Sequence, residues 1–439
     1  MSSKRIKITN FSMSDLPTNI IECILDRLPI RDAVATSILS KEWRHKWTRI
    51  PNLVFDNEFA VSLRLQNEVT MDVEYSNIIG KILLLHVGPI HKFFLRIPSF
   101  VWKVDLVSWM HFISRKDVKE LAIEALEDIK LPSYIFNCSE LQSLKIKVSR
   151  LDLPPPPQDF GGFCNLRCLD LCGKLDGTQI SNLVSKCPLL ERLSIYCVKH
   201  TFVIDAPKLV SLRARYLPAA FLELKNVQSL TSISVKFDGR GLLKFCQLFD
   251  IIGSLLKVGS VTLSSLRIIK DMPRDAPTSL PATHHKLRCL TLLKIDMSSP
   301  QCIHIILCIL KSSPNLQKLN LGILSSAYIM EDALQILDMQ IKKPQTLNSL
   351  ITVKIKGCLG SEVAIMFIKL ILSCTPVLET LYLMGEYIVY LMREDIVNEE
   401  EFTFMSEVLK CKRSSPQAQV MYSRYPGDSS IFNFKSLKA

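Results

Sequence analysis

The chain has 439 residues, 48% hydrophobic and 22% charged, with a formal net charge of +12. That length calls for two or three domains, and that composition excludes a largely disordered chain. The opening "MSSKRIKITN" lacks the apolar core of a secretory leader, and the longest apolar runs, "CIHIILCIL" and "VAIMFIKLIL", reach about half of a bilayer span. An intracellular protein of nucleus or cytoplasm, or both, is therefore expected, with no membrane contact and with its fourteen cysteines reduced. Cys164, Cys168 and Cys172 are evenly spaced but have no fourth ligand nearby, so they read as small fillers of the core and no metal is predicted. The positive charge suits nucleic acid, a membrane surface or an acidic protein. Without a zinc-finger, basic-zipper or aromatic RNA-binding motif, no direct nucleic-acid contact is predicted.

The first elements are helical. Ile20, Ile21, Ile24, Leu25 and Leu28 recur at helical spacing after "DLP", and that helix stops near Pro29. A second starts around Arg31 and Asp32, whose carboxylate suits a helix N-terminus, with Ala33, Val34 and Ile38 on its apolar side. Ser40 then caps a third, in which Trp43 and Trp47 share a face. A core this small is not stable alone, and the block needs a partner to cover its remaining apolar surface.

The stretch "LPTNIIECILDRLPIRDAVATSILSKEWRHKW" resembles an F-box, particularly the form found in plants, over residues 14–55. The resemblance implies docking on the Skp-family adaptor of a cullin–RING ubiquitin ligase. By position it implies that Leu16, Pro17, Ile21, Ile24, Leu25, Leu28, Pro29, Ile30, Asp32, Val34, Ser40 and Trp43 face the adaptor or support that surface. The competing reading is a helical cap packed on the rest of the chain.

Residues 56–114 read as a helical and β connection. From about residue 115 the pattern L-x-x-L-x-L, with Ile, Val or Ala allowed, starts at Val118, Leu141, Leu166, Leu190, Leu209, Leu230, Leu263, Leu287, Leu316, Leu350 and Leu378. Such a period is the signature of leucine-rich repeats, each giving one short strand to a parallel sheet and stacking its apolar positions on the next. Between strands lie helical stretches such as "GTQISNLVSKCP" and "PQCIHIILCILKSSP", broken by Pro188, Pro314 and Pro376 ahead of the next strand. Regular repeats carry an Asn or Cys after the last leucine; here only Cys358 fills that place, so the solenoid should be irregular. "LPPPPQDFGG" (153–162) fits an inter-repeat loop better than an SH3 ligand, and His284-His285 reads as a solvated loop pair.

The residues between the strand leucines alternate outward and line the concave face. Among them the acidic ones are Glu120, Glu124 and Asp170, and the basic ones Lys145, Lys147, Arg192, Arg213, Arg215, Lys236, Arg267, Lys318, Lys354 and Lys356. A positively charged concave surface follows, suited to an acidic or phosphorylated protein segment or a small anion, unless it simply reflects the charge of a basic chain.

The chain ends with "NEEEFTFMSEVLKCKRSSPQAQVMY". Asn398 and Glu401 have capping-box spacing, Phe402, Met405, Val408 and Leu409 share a helical face, and "AQVMY" alternates as a strand. This helix, Ser-Ser-Pro break and strand resemble the FBD domain that follows leucine-rich repeats in many plant F-box proteins.

The expected class is α/β: a small three-helix F-box, then an irregular leucine-rich-repeat solenoid with a curved parallel sheet, then an α/β FBD-like cap. The expected domains are 14–55 F-box, 115–385 repeats, 346–425 FBD-like and overlapping the last repeats, and 426–439 tail. Together these imply a non-catalytic specificity subunit of a ubiquitin ligase, with no cofactor and an unknown protein substrate. The alternative is a repeat scaffold or anion sensor uncoupled from ubiquitination. No nucleophile–base pair, phosphate loop or metal cluster points to an enzyme.

Overall fold

The computed structural model describes residues 16–63, 71–99, 101, 104–200, 202–217, 222–237, 252–253, 255–265, 277–324, 331–357, 361–385, 394–424 and 432–434. The chain divides into two units, Met1–Leu209 with Lys225–Gln228, and Val210–Leu224 with Ser229–Ala439.

The first unit begins with helices α1 (Thr18–Leu25) and α2 (Ile30–Ala35), each entered from a proline, Pro17 and Pro29, and with Asp32 in the first turn of α2. The expected third α-helix does not form. Its backbone bonds run from residue i to i−3, as in Lys46 N–H to Trp43 O at 3.2 Å and Ile50 N–H to Trp47 O at 3.2 Å. The segment Lys46–Arg49 is a single 3-10 turn. Trp43, Trp47 and Ile50 are all buried, and seating three core residues in so short a segment favours the tighter winding. Ser40 meets the Trp43 amide only at 3.4 Å, a weak cap.

The chain then enters β1 (Asn52–Phe55), α3 (Asn57–Ser62), α4 (Met71–Leu85), β2 (Lys92–Ile97) and α5 (Leu106–Ile113). β3 (Glu120–Ala125), β4 (Ile129–Lys130), β5 (Ser143–Asp152), β6 (Cys168–Asp176), α6 (Gly177–Ser185), β7 (Arg192–Lys199) and β8 (Phe202–Asp205) follow. Strands β1, β2, β3, β5, β6 and β7 pair in chain order, all parallel. The repeats thus begin earlier than the leucines announce. Ile50, Leu53 and Phe55, then Ile90, Phe93 and Leu95, keep the same spacing and are at most 4% exposed.

The second unit holds β9 (Ser211–Leu217), β10 (Leu222–Lys225), β11 (Ser232–Phe237), β12 (Ser260–Ser264) and β13 (Cys289–Ile295). After them come α7 (Pro300–Ser312), β14 (Lys318–Ile323), α8 (Glu331–Lys342), β15 (Thr352–Lys356), α9 (Glu362–Cys374) and β16 (Thr380–Met384). Helix α10 (Glu394–Leu409), β17 (Gln419–Ser423) and β18 (Phe432–Phe434) close it. Strands β9, β11 to β17 pair in parallel, and β18 returns antiparallel to β17.

The L-x-x-L-x-L register is seen directly in the pairing. Leu121, Leu144, Leu169 and Leu193 face one another across the first unit, and Val261, Leu290, Leu319, Val353, Leu381 and Val420 across the second, none more than 2% exposed. A backbone ladder at the strand entrances joins each repeat to the next, for example Gln317 N–H to Arg288 O and Ile351 N–H to Gln317 O, both 2.9 Å. Side-chain caps start the inter-strand helices, with Asp176 on α6, Ser299 on α7 and Ser361 on α9.

One repeat is out of register with the sequence reading. The frame starting at Leu263 does not form. Its strand is β12, with Val258, Val261 and Leu263 buried, so the repeat starts five residues earlier. Arg267 and Cys358 lie outside the described residues. At the other end, α10 begins at Glu394, which places Asn398 inside the helix instead of at its cap. Phe402 is 78% exposed, and Phe404 joins Met405 and Val408 in the core in its place. His284 is buried rather than solvated, and its Nε2 has no hydrogen-bond partner among the described residues.

Candidate functional site

The first candidate is the helical block. Of the twelve residues singled out there, Ile21, Leu25, Ile30 and Trp43 are buried at 0–4% exposure and form its core. Pro17, Ile24, Leu28, Pro29 and Asp32 are exposed, and Leu16, Val34 and Ser40 are half-buried. Three apolar side chains outside that set join the surface: Ile20, Leu39 and Ile38, the last 87% exposed. Ile38 was expected on the packed side of its helix. Instead it sits in a 3-10 turn (Thr36–Ile38) that continues α2 and swings the side chain outward. That much exposed aliphatic side-chain surface on some thirty residues makes the block a candidate docking surface.

The block is fastened to the sheet. Asn52 at the start of β1 donates to both carboxylate oxygens of Asp26, at 2.8 and 2.9 Å. Arg31 donates to Ser62 O at 2.6 Å and Thr48 O accepts from Val87 N–H at 2.9 Å, while Lys46 donates to Thr18 Oγ1 at 3.2 Å within the block. His86 is buried, donates through Nε2–H to Ile50 O at 2.8 Å, and burial holds its pKa below the ordinary value.

The second candidate is the solvent-facing side of each sheet, where the side chains between the leucines form rows. In the first unit these rows mix charges. Lys92 meets Glu120 at 3.8 Å, Arg96 meets Glu124 at 3.7 Å, and Lys145 meets Glu124 at 2.7 Å. Burial pushes the Glu124 carboxyl up, but the Lys145 hydrogen bond, with the charges of Lys145, Lys147 and Arg96, holds it below its usual value. Asp170 pairs across from Lys145, and the Arg192 guanidinium lies on the Cys168 sulfur at 2.8 and 3.0 Å. Cys168 and Cys172 thus stand on this open face, half-buried, while Cys164 is exposed; none is the core filler expected.

The second unit differs. Its rows read Ser211, Ser232, Ser260, Cys289, Lys318, Thr352, Thr380, Gln419, then Arg213, Ser234, Thr262, Thr291, Asn320, Lys354, Tyr382, Met421, then Arg215, Lys236, Ser264, Leu293, Gly322, Lys356, Met384, Ser423. Not one of these side chains is acidic. Arg213, Lys318 and Lys356 are exposed, Lys354 lies 5.9 Å over the Tyr382 ring, and Arg215 and Lys236 engage neighbours of their own. Short hydroxyl side chains separate the two cationic ends, so no acid within these rows opposes the field and the backbone is approachable.

A helical block with exposed apolar side chains and repeat sheets with an open polar face fit a protein-interaction adaptor of non-catalytic type. Comparison with known proteins agrees with that class: the F-box domain model matches residues 13–55, and the model described as FBD-associated F-box protein At5g56370, LRR repeats, matches residues 106–321. The chain is 32% identical over 429 residues to F-box/FBD/LRR-repeat protein At1g13570 of Arabidopsis thaliana, covering 93% of this chain and 98% of that one. F-box/LRR-repeat protein At3g26922 of the same plant is 31% identical over 211 residues, covering 45% of this chain and 64% of that one. The chain belongs to the F-box/FBD/LRR-repeat family.

Proposed function

We propose that the chain is the substrate-recognition subunit of an SCF-type cullin–RING ubiquitin ligase. The helical block docks on a Skp-family adaptor and the repeats bind the target protein. The observation that carries this reading is the exposed set Ile20, Ile24, Leu28, Ile38 and Leu39 on a block held to β1 through Asp26 and Asn52. The chain contributes no bond-making step. It raises the effective concentration of the target beside the charged ubiquitin carrier. The proposed compartment is nucleus, cytoplasm or both; no helix among the described residues is long and apolar enough to cross a membrane. The FBD-like domain is proposed to span 346–425; the order of β16, α10 and β17 supports that reading.

The target is proposed to lie on the open face of the second unit and to be acidic or phosphorylated there, because that face carries cations and no acid. On the first unit's face Glu120, Glu124 and Asp170 stand among the cations, so Lys145, Lys147 and Arg192 are proposed to contribute less to target binding than the second unit's face. The same face supports a second reading, an anion-binding repeat scaffold uncoupled from ubiquitination.

Adaptor capture separates the two. Ile24→Asp and Ile38→Asp replace exposed apolar contacts without touching the core. Each is expected to weaken co-purification with a Skp-family adaptor by about thirtyfold or more, as for a central interface residue. Capture that survives both substitutions leaves the scaffold reading.

A further inference from the structure

The proline-rich loop between β5 and β6 encloses a hollow. A cavity of about 200 Å³ lies in the first unit between this loop and helix α6, walled by Phe136, Phe160, Phe163, Leu144, Leu153 and Leu183. The three rings meet at centroid distances of 4.7, 5.1 and 6.1 Å, one pair edge-to-face and one nearly parallel. Polar side chains stand only among its more exposed lining residues, Gln179, Asn182 and Lys186, and no acid borders it.

We propose that this cavity is a binding site for a small aromatic molecule of about two fused rings. Protein interiors pack as densely as organic crystals, so an apolar void normally closes. Here both walls resist closing. Pro154, Pro155 and Pro156 fix the backbone of one wall. Gly162 pins the loop to the end of α6: it adopts φ +108°, and a Cβ there would lie 2.2 Å from Lys186 O. Lys186 Nζ donates to Phe160 O at 3.0 Å and sits 5.2 Å over its ring, tying the same two elements at the cavity's edge. Gln179 adds a bond to Leu153 O at 3.5 Å, and Asp176 caps the helix that forms the other wall.

Size and lining set the ligand class. An apolar cavity of about 150 Å³ stays dry and admits benzene, so one a third larger suits a bicyclic ring. Phenylalanine edges and faces complement the edge and face of an aromatic guest. Lys186, the one charged residue lining it among the described residues, favours a guest with an acceptor or anionic substituent directed toward it. None of its lining residues belongs to the helical block or to the second unit, so it stands whether or not the ligase reading does.

The test titrates the full-length chain with 2-naphthol, followed by calorimetry and thermal unfolding, with 1-octanol as the aliphatic control. Saturable 2-naphthol binding that raises the unfolding temperature is expected. Leu183→Phe, which fills the cavity, and Asn182→Trp, which covers its mouth from an exposed position, should each weaken binding by about tenfold or more. The exposed Asn182 position keeps the test valid if the core variant misfolds. No saturable binding to the wild-type chain, equal binding to both variants, or octanol binding as well as naphthol overturns the assignment.

Discussion

His86 lies where the docking block meets the sheet, with one ring nitrogen on Ile50 O and the other, Nδ1, unpartnered among the described residues. Burial disfavours its charged form, so its folded pKa lies below the unfolded value near 6.5. His284 is shifted the same way, by burial first and then by Lys257 and His285. Below that unfolded value the unfolded chain takes up protons that the folded chain refuses. The stability these two imidazoles contribute is therefore complete above about pH 6.5 and is lost as pH falls below it. Urea unfolding at pH 7.5 and pH 5.5 should show the loss, and His86→Gln should lessen it. A variant with the same pH slope as wild type would remove His86 from the explanation. At this scale the sequence distinguishes residue type but not direction. Ile24 and Leu25 are neighbours of equal apolarity, yet one is 36% exposed and the other fully buried, and helical spacing assigns them to one stripe. Ile38 escaped because a 3-10 turn rotates side chains by a different angle from an α-helix.

Repeats are legible where Leu, Ile, Val or Ala fills the pattern and escape it where phenylalanine does. β1 and β2 carry Phe55 and Phe93 at strand positions taken elsewhere by Leu or Ile, so the same spacing passed unnoticed in "IPNLVF" and "IHKFFL". In "VGSVTLSSLRII" two overlapping frames satisfy the pattern, from Val258 and from Leu263. Neighbour pairing decides between them: Ser232 lies opposite Ser260, and Val261 opposite Leu290. The chosen start falls 28 residues after Leu230 and 29 before Leu287, so both intervals resemble the rest. Leu263 is then a core strand residue with 0% exposure. Leu263→Ala is expected to cost roughly 2–5 kcal/mol in denaturant unfolding, the usual range for a leucine truncated in a packed core. A loss below about 0.5 kcal/mol, typical of a surface change, would take Leu263 out of the core and overturn the packing of β12. Helices α6 and α7 stand where proline and helical spacing put them, because caps and breakers act locally.

Across the molecule the net charge of +12 is unevenly used. In the first unit Glu120, Glu124 and Asp170 stand among the cations of the open face, whereas the corresponding rows of the second contain six basic residues and no acid. Counting charges along the sequence pooled the two and blurred this distinction, which only strand register reveals. Lys318→Glu with Lys354→Glu should therefore abolish capture of an acidic target, measured by affinity purification with the proteasome inhibited. Lys145→Glu with Lys147→Glu should leave it nearly intact. Capture should also fall steeply between 50 and 300 mM salt, as expected of contacts made by solvent-exposed charges. Equal losses from both double variants would mean that overall charge, not this face, attracts the target.

β1 belongs at once to the docking block, through the clasp between Asn52 and Asp26, and to the ladder, through its pairing with β2. The block is accordingly no detachable cassette. Severing the chain just before Asn57 would strip the outermost strand and leave the amides and carbonyls of Lys92–Ile97 bare, an invitation to stick to other copies. Any graft that moves this handle to another protein has to bring that strand along, or supply a substitute hem for the fabric it leaves behind.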